Sequence, residues 1–130
     1  MTQPAARHTD TVTAIDTHVV NTPESGPKPL PHPFSGPLAE QLSADVLIGT
    51  QPAATIGSVA HNLPPHVPTP PGTSFQLPPS NRGTVHTGSA TVLINGKGAA
   101  RQGDAVMTCN DPTDLPVGTI TTGEPTVVIG

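Results

Sequence analysis

Ala90-Thr91-Val92-Leu93-Ile94-Asn95-Gly96-Lys97-Gly98-Ala99-Ala100-Arg101-Gln102-Gly103-Asp104 reads as an apolar strand, a tight turn and a second strand. Asn95-Gly96 is the turn, because a two-residue type I′ hairpin needs positive φ at both positions. The same pattern recurs without a gap at Ala44-Asp45-Val46-Leu47-Ile48-Gly49-Thr50-Gln51-Pro52-Ala53-Ala54-Thr55-Ile56-Gly57-Ser58. Ala44/Ala90, Val46/Val92, Leu47/Leu93, Ile48/Ile94, Ala53/Ala99, Ala54/Ala100 and Gly57/Gly103 are identical pairs. Gly49-Thr50 is a weaker version of the Asn95-Gly96 turn.

The chain ends hold a third copy in two halves. Pro125-Thr126-Val127-Val128-Ile129-Gly130 matches the first strand, and Pro4-Ala5-Ala6-Arg7-His8-Thr9-Asp10 matches Gly98 through Asp104. Pairing of the two halves closes three similar units into a ring and leaves fewer free sheet edges. The expected fold class is mainly β. It is a small three-sided cone with pseudo-threefold symmetry, built from strand-turn-strand repeats in one domain spanning residues 1–130. The units are 125–130 plus 3–10, 44–58 and 90–104. A shorter echo, Gly83-Thr84-Val85-His86-Thr87-Gly88-Ser89 against Gly118-Thr119-Ile120-Thr121-Thr122-Gly123-Glu124, leads into matching strands of two units.

Three long connections, 11–43, 59–89 and 105–124, join the units and hold most of the 18 prolines. Hairpin turns occupy one end of each unit, so the connections leave from the other and converge on one axis. Proline restrains such segments and favours extended backbone. Pro37-Leu38-Ala39-Glu40-Gln41-Leu42 is the one helix candidate, of one or two turns.

Composition narrows the function. Two Phe, no Trp and no Tyr make a thin core, and one cysteine, Cys109, rules out an internal disulfide. Metal or assembly is the expected supplement for a domain of this size. Nine acidic against five basic residues leave no basic stripe for phosphates, and without Tyr or Trp there is no base-stacking platform. Nucleic acid is therefore not an expected partner. The N-terminus lacks a signal-peptide pattern, and no apolar run reaches membrane-spanning length. Synthesis in the cytoplasm follows, with any export by another route.

Five of six histidines and Cys109 fall in the connections: His18 and His32 in the first, His61, His66 and His86 in the second, Cys109 in the third. Zinc takes four tetrahedral ligands from such side chains. His18 lies eight residues after Asp10, and His66 eight after its counterpart Ser58. His86 aligns with Thr121, so that position does not demand a ligand. The expected ligands are His18, His32, His66 and Cys109, with His61 and His86 as alternatives to His66. Four protein ligands close the site and predict one structural zinc per chain. Without metal, these histidines are ordinary polar loop residues and Cys109 a small buried one. Asp10 and Asp104 are repeat-equivalent and read as strand-end structural residues. No G-x-S-x-G elbow or Walker spacing is present.

The copy Val92 through Asp104 resembles the PAAR-repeat family, and Pro4-Ala5-Ala6-Arg7 carries its name-giving tetrapeptide. The resemblance covers nearly the whole chain. Pro64-Pro65-His66-Val67-Pro68-Thr69 and Thr108-Cys109-Asn110-Asp111-Pro112 resemble the PAAR-like variant that forms a stand-alone tip. The resemblance implies a β cone whose base caps a trimeric β-helical, VgrG-like spike protein of a type VI secretion or related phage-tail-like contractile injection system. It also implies zinc held near the point by three His and one Cys, which carries over to His18, His32, His66 and Cys109. The role it implies is mechanical: envelope piercing, transient contact with the target membrane, and delivery outside the cell on contraction. No toxin domain follows Gly130, so effector cargo is expected to be recruited rather than fused. The second unit departs from the pattern, with Thr55 in place of Arg and Ser58 in place of Asp. The rival readings are a small zinc-dependent hydrolase acting on the target envelope, which needs an open metal position, and a flexible proline-rich binder without metal.

Overall fold

The computed structural model describes residues 2–130, which form thirteen strands and no helix. Three two-stranded hairpins make one end of the molecule. They are β4 (Leu47–Ile48) with β5 (Gln51–Pro52), β9 (Leu93–Ile94) with β10 (Lys97–Gly98), and β1 (Gln3–Ala5) with β13 (Glu124–Ile129). The third joins the two chain ends, as the split repeat requires. Registers agree across all three: Ile48, Ile94 and Ile129 face Gln51, Lys97 and Gln3. Positive φ at Gly49, Thr50, Asn95 and Gly96 fits both two-residue turns to type I′.

The units then interlock in a cycle. Ala6 N–H donates to Ala100 O, Ala100 N–H to Ala54 O, and Ala54 N–H to Ala6 O, at 2.9–3.0 Å. Bridges Ala5–Arg101, Thr55–Ala99 and Arg7–Ala53 repeat the cycle. Alanine is needed here because three segments of the chain meet at one axis, and Ala5, Ala6, Ala53, Ala54, Ala99 and Ala100 are all fully buried. Each second strand ends on a cap. The Asp10 and Asp104 carboxylates accept from Arg7 N–H and Arg101 N–H, as their equivalence predicts, and Ser58 Oγ accepts from Thr55 N–H.

Beyond the alanine belt the three connections are not irregular loops. Each turns back as strands: β2 (Thr11–Thr22) and β3 (Gly26–Glu40), β6 (Val59–His61) and β8 (Arg82–Val85), β11 (Ala105–Thr108) and β12 (Leu115–Ile120). Neighbour pairs run β2-β3-β6-β8-β11-β12 and return to β2, which closes a six-stranded barrel. β7 (Ser74–Phe75) adds to the far end of β2, at Val20 and Asn21. Core layers follow the threefold: Leu38, Val85 and Ile120, then Val12, Ala60 and Val106, all at most 1% exposed. Phe34 fills the middle. The result is the mainly-β, three-sided architecture that the repeats predict.

The helix expected at 37–42 is absent. Pro37 through Glu40 are the end of β3, and Leu38 N–H donates to Asp10 O just as Val85 N–H donates to Ser58 O. Sheet closure overrides the weak local helix preference. Prolines survive in β3 because of their spacing. Pro27, Pro29, Pro31, Pro33 and Pro37 face Asn21, Val19, Thr17, Ile15 and Thr11 of β2. On this alternate set the backbone N points away from β2; Ser35 N–H, on the same set, donates outward to Asn62. The missing donors therefore cost no ladder bonds and blunt the outer edge.

Candidate metal centre

His18 sits on β2, seven residues beyond Thr11, which carries it about 24 Å along the strand from the alanine belt. It is 1% exposed, and neither ring nitrogen has a hydrogen-bond partner. Its Nδ1 lies 3.6 Å from Asp111 Oδ2. Two such orphaned atoms in a buried ring are costly unless something binds them.

The other two connections bring partners to this ring. The segment after β11 is clamped along β2: Thr17 N–H donates to Asn110 Oδ1, Val19 N–H to Asp111 Oδ2, and Asp111 N–H returns to Thr17 O. That clamp places the Cys109 thiol, 2% exposed, beside β2. In the second connection His66 N–H donates to Asn81 Oδ1, and Asn81 also binds Asn62. The His66 ring then turns inward, with its side chain 3% exposed.

Ligand atoms from Asp16, His18, His66 and Cys109 all lie within 4.8 Å of one another. Thus three of the four sequence-expected ligands meet, one from each connection. His32, the fourth, packs against them on β3. Its ring centroid is 5.4 Å from His18 and 5.5 Å from His66. However, its Nδ1 pairs with Leu30 O at 2.9 Å, and its Nε2 accepts from Thr69 N–H at 3.1 Å. The alternatives lie elsewhere. His61 pairs with Glu40 on the barrel wall, and His86 is exposed.

Asp16 is the residue that loop-by-loop reading missed. It is wholly buried, and its Oδ2 lies 2.9 Å from His66 Nε2 and 3.5 Å from Cys109 Sγ. Strand periodicity held the signal: Asp16 is two residues before His18, hence on the same face of β2.

Electrostatics favour neutral rings and a protonated thiol while no cation is bound. Burial pushes His18 and His32 below the ordinary 6.5, and the neighbouring His66 lowers both further. Burial first, and Asp16 next, push Cys109 up to about 11. A divalent cation reverses the second effect by trading for the thiol proton. Two imidazoles, a thiolate and a carboxylate are a donor set that suits zinc. The orphaned His18 nitrogens show that the site fits such an ion.

Residues 76–130 match the family model described as the PAAR motif. That stretch contains Cys109 and the whole third unit, while His18, His32 and His66 precede it. Neither a curated protein nor a solved structure matches the chain. The cyclic pairing of Ala5-Ala6-Arg7 and Ala53-Ala54-Thr55 with Ala99-Ala100-Arg101, which lies inside the matched stretch, shows two further units built like the one that the PAAR-motif model matches.

Proposed function

We propose that the chain is a zinc-stabilised conical tip that caps the trimeric spike of a contractile injection apparatus. One observation carries this reading. The end of the molecule opposite the metal cluster presents three equivalent apolar residues, Leu47, Leu93 and Val128, at 62%, 63% and 56% exposure. They face Pro52, Gly98 and Pro4 in matching registers. Val46, Val92 and Val127 repeat the pattern beside them, at 36–38%. A monomer with threefold apolar repetition on one end suits a partner with three identical chains.

Zinc would be structural in this role. His18, His66 and Cys109 supply three ligands, and His32 and Asp16 both stand near the fourth position. A closed site leaves no place for a substrate, so the reading is mechanical and not catalytic. The ion ties the three connections together where the core is thinnest. Leu63 and Val67, exposed at 60% and 75% near the metal end, would meet the target membrane in passing as contraction carries the tip outward. Cargo would ride on the barrel sides.

The test is reconstitution with a trimeric β-helical spike protein. One chain should bind per spike trimer, with one zinc per chain by elemental analysis. Leu47→Asp combined with Leu93→Asp should abolish capping and leave the zinc in place. Capping that survives both substitutions, or occurs through the metal end, would overturn the reading.

A further inference from the structure

We propose that the three-chain partner is held by backbone pairing, with one extended segment from each partner chain added to the free edges of β4, β9 and β13. This rests on the reading of the chain as a spike cap and names how its partner is recognised. Each of these strands has a single neighbour in its two-stranded sheet, β5, β10 or β1. Those neighbours lead to Ala53, Ala99 and Ala5, which bridge to the next unit at Arg7, Thr55 and Arg101. Among the described residues nothing pairs with the other side of β4, β9 and β13. The hairpin end therefore carries three equivalent open edges.

The direction of the backbone on those edges follows from the ladder. Bonded and non-bonded pairs alternate along an antiparallel hairpin. Val46 O accepts from Ala53 N–H and Val92 O from Ala99 N–H, both at 3.0 Å, so Val46 and Val92 turn toward the second strand. The next residues, Leu47 and Leu93, turn their N–H and C=O outward. The residues that face them agree. Pro52 O accepts from His8 N–H at 2.8 Å and Gly98 O from Ile56 N–H at 2.9 Å, both in a neighbouring unit and not across the hairpin. Val128 repeats the arrangement, because Pro4 faces it and Pro4 O accepts from Gln102 N–H at 2.8 Å. Leu47, Leu93 and Val128 thus each offer one N–H and one C=O with no partner among the described residues. The edges also lack guards: no charged residue stands at 46–48, 92–94 or 127–129. One edge this short gains little from one added strand. Three such edges in a rigid ring gain three at once, and a partner of three like chains supplies them in matching positions.

Hydrogen exchange on the wild-type chain reads these amides without any substitution. Leu47, Leu93 and Val128 N–H should exchange freely in the uncapped chain and slow by more than about tenfold on binding a trimeric β-helical spike protein. Ala53 and Ala99 N–H, already bonded within their hairpins, should change little. Leu47→Pro, Leu93→Pro and Val128→Pro together remove outward donors alone, which proline can lack at a strand edge. Relative to alanine at the same three positions, which keeps the donors, capping affinity should fall by roughly 100-fold, at about fivefold per bond, with zinc content unchanged. Capping without slowed exchange at these amides, or prolines that bind as well as alanines, overturns the edge pairing and leaves the cap reading standing. Dimers of the chain alone that protect the same amides overturn the choice of partner. A wild-type chain that caps no spike overturns both readings.

Discussion

A Cβ placed on Gly36 would lie 1.6 Å from the carbonyl oxygen of His61. Strand β3 and the end of β6 thus approach at a backbone-to-backbone distance that only glycine allows, and the barrel seam depends on it. Gly36→Ala should destabilise the chain by roughly 3 kcal/mol, at the upper end of overpacking costs, since backbone cannot step aside. Gly26 is the control. It has φ +68° but open space around it, so Gly26→Asn should cost little. Melting temperatures of the two variants check this; similar losses would contradict the seam.

Cys109→Ser should abolish stoichiometric zinc. At a zinc concentration of about 100–1,000 times Kd the ion stabilises by ~3–4 kcal/mol, so the loaded melting temperature should fall by roughly 10 °C. With chelator present, wild type and variant should melt within a few degrees of each other. Unchanged zinc content in the serine variant would remove Cys109 from the site.

How much of this was legible in the sequence depends on where symmetry was visible. Ile48, Ile94 and Ile129 share a register that the repeat alignment dictated, and the pairing of the chain ends followed from it. Leu38 was harder. It is the structural counterpart of Val85 and Ile120, yet Pro37-Leu38-Ala39 shares only an apolar centre with Thr84-Val85-His86. The hairpin of β2 and β3 was hidden by proline content, although prolines two apart are a strand-edge signature. His18, His66 and Cys109, one in each connection, do lie together in the structure. Asp16 beside them did not stand out in the sequence, because a carboxylate does so only when its burial is known.

The metal-free chain should lose stability as pH falls below about 6.5. Burial holds His18 and His32 below that ordinary value in the folded state, while the unfolded chain takes up protons near it. Between the two values the unfolded state binds more protons, so acid favours unfolding. The urea midpoint of chelated protein should be lower at pH 5.5 than at pH 7.5, and His18→Gln should reduce the difference. A midpoint flat over that range would show that neither ring resists protonation.

His86→Thr should leave both zinc content and melting temperature unchanged. The side chain is exposed, and its backbone N–H, which donates to Ala105 O, survives the substitution. Zinc loss in this variant would mean that the second connection presents a different histidine from His66.

Ser58 breaks the repeat, since Asp10 and Asp104 hold the equivalent positions, and Ser58→Asp would restore the pattern. It should nevertheless destabilise the chain. The Asp10 and Asp104 carboxylates only accept, from Arg7 and Arg101 N–H, and each has an arginine side chain beside it. Ser58 Oγ does two things: it accepts from Thr55 N–H and donates to Gln41 O at 2.8 Å. It is also 0% exposed, and the arginine position of this unit is Thr55. A carboxylate there would face the Gln41 carbonyl with no proton to give and no cation to offset its burial. The cost should be about 2–3 kcal/mol, from an unsatisfied buried acceptor and a buried charge. Ser58→Asp with Thr55→Arg should recover part of it by rebuilding the pair found at Arg101 and Asp104. Denaturant midpoints of the single and double variants decide the matter. A single variant as stable as wild type would show that the departure from symmetry is incidental.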